Sequence, residues 1–140
     1  MDRVLLTALR NAAARGVDVR LVTPHVPDKR LVFYLTRASY RPLLLSGVRI
    51  LEYTPGFLHA KQVLVDDRIA FVGTVNLDYR SLSHHFECGA ILCATPALGD
   101  IATDFEGIFE VSEEITLENF HPGLVSRTAA ALISLFSPLF

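Results

Sequence analysis

Residues 4–22 read Val4-Leu-Leu-Thr-Ala-Leu-Arg-Asn-Ala-Ala-Ala-Arg15-Gly16-Val17-Asp-Val-Arg-Leu-Val22. The stretch changes its period partway. Val4, Leu5, Ala8, Leu9 and Ala12 recur at the helical spacing, which puts them on one face. Gly16 stands where a C-terminal helix cap belongs, since glycine alone takes a left-handed backbone without a Cβ clash. From Val17 the pattern alternates apolar and polar, as a half-buried strand does. A helix running into a strand through one glycine points to an α/β chain. The remainder repeats the theme. Residues 30–45 predict a helix, with Ser39 a plausible cap before Pro42 and Gly47 closing it. Val48–Tyr53 predicts a strand and Thr54-Pro55-Gly56 a turn. Leu58–Val65 and Ile69–Val75 predict two strands joined by Asp66-Asp67-Arg68, a hairpin. A polar loop over Asn76–His85 follows, then a strand over Phe86–Cys93. Residues 96–111 predict a helix, Glu114–Leu117 a short strand, and 124–137 a last helix. The expected architecture is a single α/β domain over residues 1–140 with a mixed sheet.

Composition narrows the class. The chain has 140 residues, of which 51% are hydrophobic and 20% charged. An intrinsically disordered chain has the opposite balance, and no repeat period suggests a fibrous protein. The apolar fraction is high for one domain, so surplus apolar surface calls for a partner, either protein or membrane. Net charge is -2, which argues against a nucleic-acid binder. The charge is unevenly placed: residues 1–99 carry +4 and residues 100–140 carry -6. The acidic group Asp100, Asp104, Glu106, Glu110, Glu113, Glu114 and Glu118 reads as a solvated face, and the basic excess before it suits an anionic substrate. Cys88 and Cys93 are too few for a disulfide framework and poorly spaced for zinc; they read as small core residues of a reducing compartment. Met1-Asp2-Arg3 leads into the helix pattern without the apolar stretch of a secretory leader. The apolar segment from Thr128 to Phe140 is too short to span a bilayer and reads as a docked helix or an interfacial anchor.

The chemistry concentrates in His59-Ala-Lys61-Gln-Val-Leu-Val-Asp66-Asp-Arg-Ile-Ala-Phe-Val-Gly73-Thr74-Val-Asn76. His59 and Lys61 are two apart, so on a strand their side chains leave by the same face, roughly 7 Å apart. An imidazole and an ammonium there suit a phosphodiester: one attacks phosphorus or shuttles a proton, the other neutralises the non-bridging oxygens. Asp66 falls in the hairpin turn, where a carboxylate accepts backbone N–H bonds, a structural role. Gly73 permits close backbone approach. The returning strand brings Thr74 and Asn76 back toward His59 and Lys61, as two more donors to the same phosphate. Six typed positions arise by chance on the order of once in ten million starting points.

These residues resemble the HKD motif of the phospholipase D superfamily. Arg15–Leu21, Gly47–Tyr53, Pro55–Lys61, Gly73–Ser81, Phe86-Glu87, Glu114–Leu117 and Leu135–Phe140 resemble its bacterial cardiolipin synthase branch, and match the C-terminal catalytic half of such enzymes. The resemblance implies a phospholipase-D-like α/β/α sandwich around a central mixed β-sheet. It implies a transphosphatidylation in which His59 forms a phosphohistidine, two phosphatidylglycerols become cardiolipin, and glycerol leaves. Lys61, Thr74 and Asn76 then hold the phosphate, Asp66 completes the motif, and Glu87 matches an acid that orients the active-site histidine. No metal and no cofactor is implied. The setting is the bacterial cytoplasmic membrane, held peripherally, with an anionic phospholipid, phosphatidylglycerol, as partner.

The sequence departs from that branch in two ways. It carries one HKD motif where such enzymes carry two, and it has His85 and Gly89 where they usually have asparagines. His84-His85 offers no metal site, because adjacent residues diverge in extended chain. A second motif must come from a second HKD half in cis, this chain being the C-terminal piece of a longer enzyme, or from a two-fold homodimer in trans. The absence of a strand before the first helix favours the first arrangement. The rival activities are hydrolysis of phosphodiesters by a single-motif homodimeric phospholipase D or nuclease, and none at all in an inactive fragment.

Overall fold

A computed structural model describes residues 1–27 and 30–123; the helix expected over 124–137 lies outside the described residues. In chain order the elements are α1 (Arg3–Ala14), β1 (Arg20–Pro24), α2 (Arg30–Ala38), α3 (Tyr40–Leu44), β2 (Arg49–Tyr53), β3 (Gln62–Val65), β4 (Ile69–Gly73), α4 (Tyr79–Ser83), β5 (Gly89–Cys93), α5 (Ala97–Glu110) and β6 (Ser112–Ile115). Asp2 caps α1, its carboxylate accepting from the amides of Val4 at 2.8 Å and Leu5 at 3.2 Å. Gly16 ends the turn after α1 at φ +89°, the left-handed conformation its position demands. The helix expected over 30–45 is two helices broken at Ser39, whose hydroxyl makes no cap bond. α4 was hidden inside the polar loop; Asp78 starts it by accepting from the Ser81 amide at 2.7 Å.

The α/β class holds, with the strands distributed over two three-stranded sheets. In the first, of order β1-β2-β6, β1 and β2 are parallel, linked through α2 and α3 as a βαβ unit, and β6 runs antiparallel to β2. In the second, of order β3-β4-β5, neighbours are antiparallel. Helix α5 packs against strands of both sheets. β1 runs further than its alternation suggested, to Pro24 opposite Tyr53. The bonds Arg49 N–H to Val19 O and His25 N–H to Tyr53 O fix which residues face β2. Pro24 therefore points its missing donor at the edge of β1 that has no partner among the described residues, where proline is tolerated.

The core is formed by Leu21, Tyr40, Leu43, Val48, Ile50 and Ile115, between the first sheet and α3, with Leu6, Leu9 and Ala13 of α1 packed against it. In the second sheet, Leu64, Ala70 and Leu92 are register partners on one face, and Ala70 is fully buried. The opposite face carries Val63, Ile69 and Ile91, all exposed, with Ile91 at 71%. The expected core placement of Cys88 and Cys93 is corrected here: both are free thiols at the surface. β5 is an edge strand with little cover on either face, so alternation there did not report burial. All seven residues of the acidic group are exposed, as a solvated face requires, and three of them also make pairs. Glu114 grips Arg49 through two bonds of 2.9 and 3.0 Å, Glu106 meets Arg20 at 3.4 Å, and Asp104 accepts from Gln62 at 2.9 Å. These pairs tie α5 and β6 to strands of both sheets.

Candidate active site

The β3–β4 hairpin is built by a tight turn. Asp66 and Asp67 sit at φ +50° and +53°, and the Arg68 amide donates to Val65 O at 3.0 Å. Two consecutive left-handed residues match the right-handed twist of the flanking strands, and aspartate tolerates that conformation better than most residues. Asp66 thus serves the turn through its backbone. Among the described residues its carboxylate accepts no hydrogen bond, in contrast to the amide contacts expected of it.

The strand expected from Leu58 begins only at Gln62. The register with β4 ends there, and residues 58–60 have no ladder neighbour among the described residues. Lys61 is the last residue held, its carbonyl accepting from the Gly73 amide at 3.0 Å. That bond returns the end of β4 to Lys61, the convergence expected of the hairpin. The Lys61 ammonium donates to the His59 carbonyl at 2.8 Å, which leaves two of its three donors for a ligand. The His59 ring stacks on Phe57, centroids 5.4 Å apart and planes at 19°. Neither ring nitrogen has a hydrogen-bond partner among the described residues. His59, Lys61 and Asn76 all line one groove of about 1780 Å³, and Asp66 touches it too.

Thr74 and Glu87 form a separate pair beside the groove. The Thr74 hydroxyl donates to Glu87 at 2.5 Å and accepts from the Cys88 amide at 3.0 Å. This donation, ahead of others from Ser81 and His85, holds the Glu87 carboxyl below the usual carboxylate range. Glu87 lies 3.6 Å from His85, whose other ring nitrogen meets Arg80 at 2.7 Å. Among the described residues Glu87 makes no hydrogen bond to His59, so its orienting contact runs to Thr74 and His85. Ser81, buried at the start of α4, receives Asn76 at 3.4 Å. Sequence reading missed Ser81 and Phe57; both signals were present, in a serine three residues past the Asp78 cap and an aromatic two before the histidine. Gly73 and Gly89 are cross-strand partners. A Cβ on Gly73 would lie 2.5 Å from Cys88 O, so this glycine is required by close approach, as expected.

A second polar cluster escaped the sequence reading. Glu52 is only 1% exposed, yet accepts from Tyr40 at 2.9 Å, lies 3.0 Å from His25 and 3.4 Å from Arg37. The Tyr40 hydroxyl also meets Thr23 at 2.5 Å. Burial, chiefly, pushes the Tyr40 phenol up. Alternation could have found Glu52, which shares a face with Ile50. His84 caps α4, exposed against Tyr79. Among the described residues no three His, Cys, Asp or Glu side chains converge as a metal centre, and no helix is long and apolar enough to cross a membrane.

Known proteins bear on this geometry. A family profile described as "Cardiolipin synthase, PLD-like domain" matches residues 1–110. Cardiolipin synthase 2 of Bacillus anthracis is 44% identical over 139 residues, 99% of this chain but 27% of that protein. The cardiolipin synthase of Geobacillus kaustophilus is 43% identical over 140 residues, again 99% of this chain and 28% of that protein. The chain therefore spans less than a third of the length of these relatives. The crystal structure of Nuc, a phospholipase D family member from Salmonella typhimurium, superposes with a TM-score of 0.71 at 18% identity, covering 83% of this chain and 76% of that one. That likeness bears on the fold, and it agrees with the α/β architecture. With the family profile matched over most of its length, the chain belongs to the family of cardiolipin synthase, phospholipase-D-like domains.

Proposed function

We infer that this chain is one catalytic half of a phosphatidyltransferase that joins two phosphatidylglycerols into cardiolipin and glycerol. The observation that carries the reading is that His59, Lys61 and Asn76, distant in composition but tied by one hairpin, line the same groove. A free imidazole nitrogen of His59 attacks the phosphatidyl phosphorus. The phosphorus–oxygen bond to glycerol breaks, and a general acid from a second half protonates the departing glycerol oxygen. Lys61 and Asn76 donate to the non-bridging oxygens as negative charge develops on them. The primary hydroxyl of a second phosphatidylglycerol then attacks the phosphohistidine, giving its proton to the same second-half group, now a base. Cardiolipin forms and His59 is released. Asp66 shapes the turn, and Glu87, through Thr74, braces the end of β4. The exposed apolar surface suits work at a bilayer surface.

The test is conversion of phosphatidylglycerol vesicles by the chain at concentrations where sedimentation shows a dimer. Cardiolipin and glycerol in equal amounts, abolished by His59→Ala, support the reading. Phosphatidic acid and glycerol instead of cardiolipin support hydrolysis by the homodimer, and a verified dimer without turnover overturns the activity for the isolated chain.

A further inference from the structure

Behind one wall of the groove lies a charged cluster that the transfer step leaves without a task. β1 and β2 are parallel and end together, at Pro24 and Tyr53. In an open α/β sheet, ligands gather outside the carboxyl ends of the strands. Glu52 sits at that end, 1% exposed. The Tyr40 hydroxyl donates to its carboxylate at 2.9 Å, His25 Nδ1 lies 3.0 Å from it, and Arg37 Nε lies 3.4 Å from it. A carboxylate this deep needs partners, and Tyr40 and His25 supply the two closer ones. Arg37 commits one edge atom of its guanidinium. A guanidinium carries five N–H donors in a planar fork. The four on Nη1 and Nη2 have no partner among the described residues.

Arg37 is also fixed in place. Its guanidinium lies 5.1 Å from the ring centre of Phe33, 5.9 Å from that of Tyr40 and 5.5 Å from that of Phe120. Rings around a cation hold it in one position, so little ordering remains to be done when a ligand arrives. Arg37 lines the same groove as His59, which follows Tyr53 by only six positions. The other arginines of the groove differ. Arg20 is committed to Asp18 at 2.8 Å and Glu106 at 3.4 Å. Arg3 and Arg41 are exposed, and among the described residues no ring or carboxylate holds their side chains.

The fork of Arg37 matches two non-bridging oxygens of a phosphate. Glu52 limits the charge it accepts. A carboxylate behind the cation offsets it, so a second negative charge on the ligand meets repulsion. A phosphodiester, with one charge, suits this cluster better than a free phosphate with two. Val32, Phe33 and Phe120 give the groove apolar surface on the same wall, as the stem of a lipid requires.

We propose that Arg37, braced by Glu52 and three aromatic rings, holds the phosphodiester of the lipid that accepts the phosphatidyl group. This rests on the transfer reaction inferred above. That reaction brings two phosphodiesters together, one broken at His59 and one left intact. Lys61 and Asn76 serve the first. Arg37 serves the second, retaining the acceptor until its hydroxyl attacks. Arg37 is a binding residue, and Glu52 and Tyr40 position it.

The experiment is a titration of the full chain with dihexanoyl-phosphatidylglycerol below its micelle concentration, followed by NMR. The Arg37 Nε–H signal shifts saturably, and inorganic phosphate reaches the same shift only at about tenfold higher concentration. In Arg37→Gln the midpoint read at the Phe120 amide rises about tenfold, while the midpoint read at the Lys61 amide stays in place. Arg37→Lys, which keeps the charge and loses the fork, falls between the two. In the vesicle assay above, Arg37→Gln raises phosphatidic acid relative to cardiolipin about fivefold, because water replaces a poorly held acceptor. An unmoved Arg37 signal, an equal response to inorganic phosphate, or a Phe120 midpoint that Arg37→Gln leaves in place overturns the proposal. So does an unchanged product ratio in a variant with weakened binding. The titration needs no turnover, so an inactive chain that still binds through Arg37 refutes the reaction and supports the phosphodiester site.

Discussion

Replacing Gly73 and Gly89 by alanine separates two kinds of close packing in the hairpin beneath the site. The two glycines face each other across β4 and β5. A Cβ at Gly73 would meet Cys88 O at 2.5 Å, the Gly89 Cα at 2.7 Å and the Phe71 ring at 2.8 Å. Two of those three obstacles are backbone and cannot move without opening the ladder. A Cβ at Gly89 collides chiefly with the Phe71 ring, a side chain that can be removed. Overpacking of this kind costs about 1–3 kcal/mol. Gly73→Ala belongs at the upper end, about 3 kcal/mol, and Gly89→Ala at about 1–2 kcal/mol. For a chain of this size each kcal/mol lowers Tm by about 3–5 °C. A double-mutant cycle with Phe71→Leu, read by urea unfolding, resolves the cause. Phe71→Leu recovers most of the loss in Gly89→Ala and little of that in Gly73→Ala. Equal recovery in both, or a cost below about 0.5 kcal/mol for Gly73→Ala, refutes the backbone-approach argument.

Other outcomes follow from the same structure. Tyr40→Phe removes a donor from buried Glu52 and a partner from Thr23, and lowers unfolding stability by about 1.5–3 kcal/mol in urea titration. Asp67→Gly relieves a left-handed backbone at φ +53° and raises stability by about 0.5–1 kcal/mol in the same assay. Glu114 is held below its ordinary value of 4.5, first by its hydrogen bonds with Arg49. A depressed folded-state pKa adds stability that is present above pH 4.5 and lost as pH falls through the folded value. Glu114→Gln therefore flattens the acid limb of a stability–pH curve. Because both side chains are nearly half exposed, the loss at neutral pH stays under about 1 kcal/mol. Asn76→Ala and Lys61→Ala each lower phosphatidyl transfer by about 10²–10³-fold in a lipid-product assay, the cost of losing one donor to developing charge.

The sequence made some features legible and hid others, for physical reasons. Helix α1, its cap at Gly16 and the hairpin turn at Asp66-Asp67 were readable because each depends on local periodicity or local backbone preference. The grouping of strands into two sheets was not, because sheet order depends on partners distant in the chain. Alternation alone placed a strand from Leu58, whereas residues 58–60 lack a neighbouring edge to pair with among the described residues. Cys88 and Cys93 looked like core residues by type, but β5 is an edge with little cover. The convergence of Lys61 with the end of β4 was legible, since an antiparallel hairpin admits one geometry. The roles of Ser81 and His85 around Glu87 were not, because a short helix nucleated by Asp78 was hidden in a polar loop. The surplus of apolar residues is now located: part lies on the open face of the second sheet and part along the groove between the sheets.

The central claim is that His59 is the nucleophile of this groove. The direct measurement is mass spectrometry of the chain after brief incubation with phosphatidylglycerol vesicles and an alkaline quench, which preserves phosphohistidine. The account predicts a phosphatidyl group on the peptide containing His59, lost when an alcohol acceptor is added and absent in His59→Asn. A phosphatidyl group on His25, His84, His85 or His121, or turnover by His59→Asn with no adduct on His59 in the native chain, contradicts it.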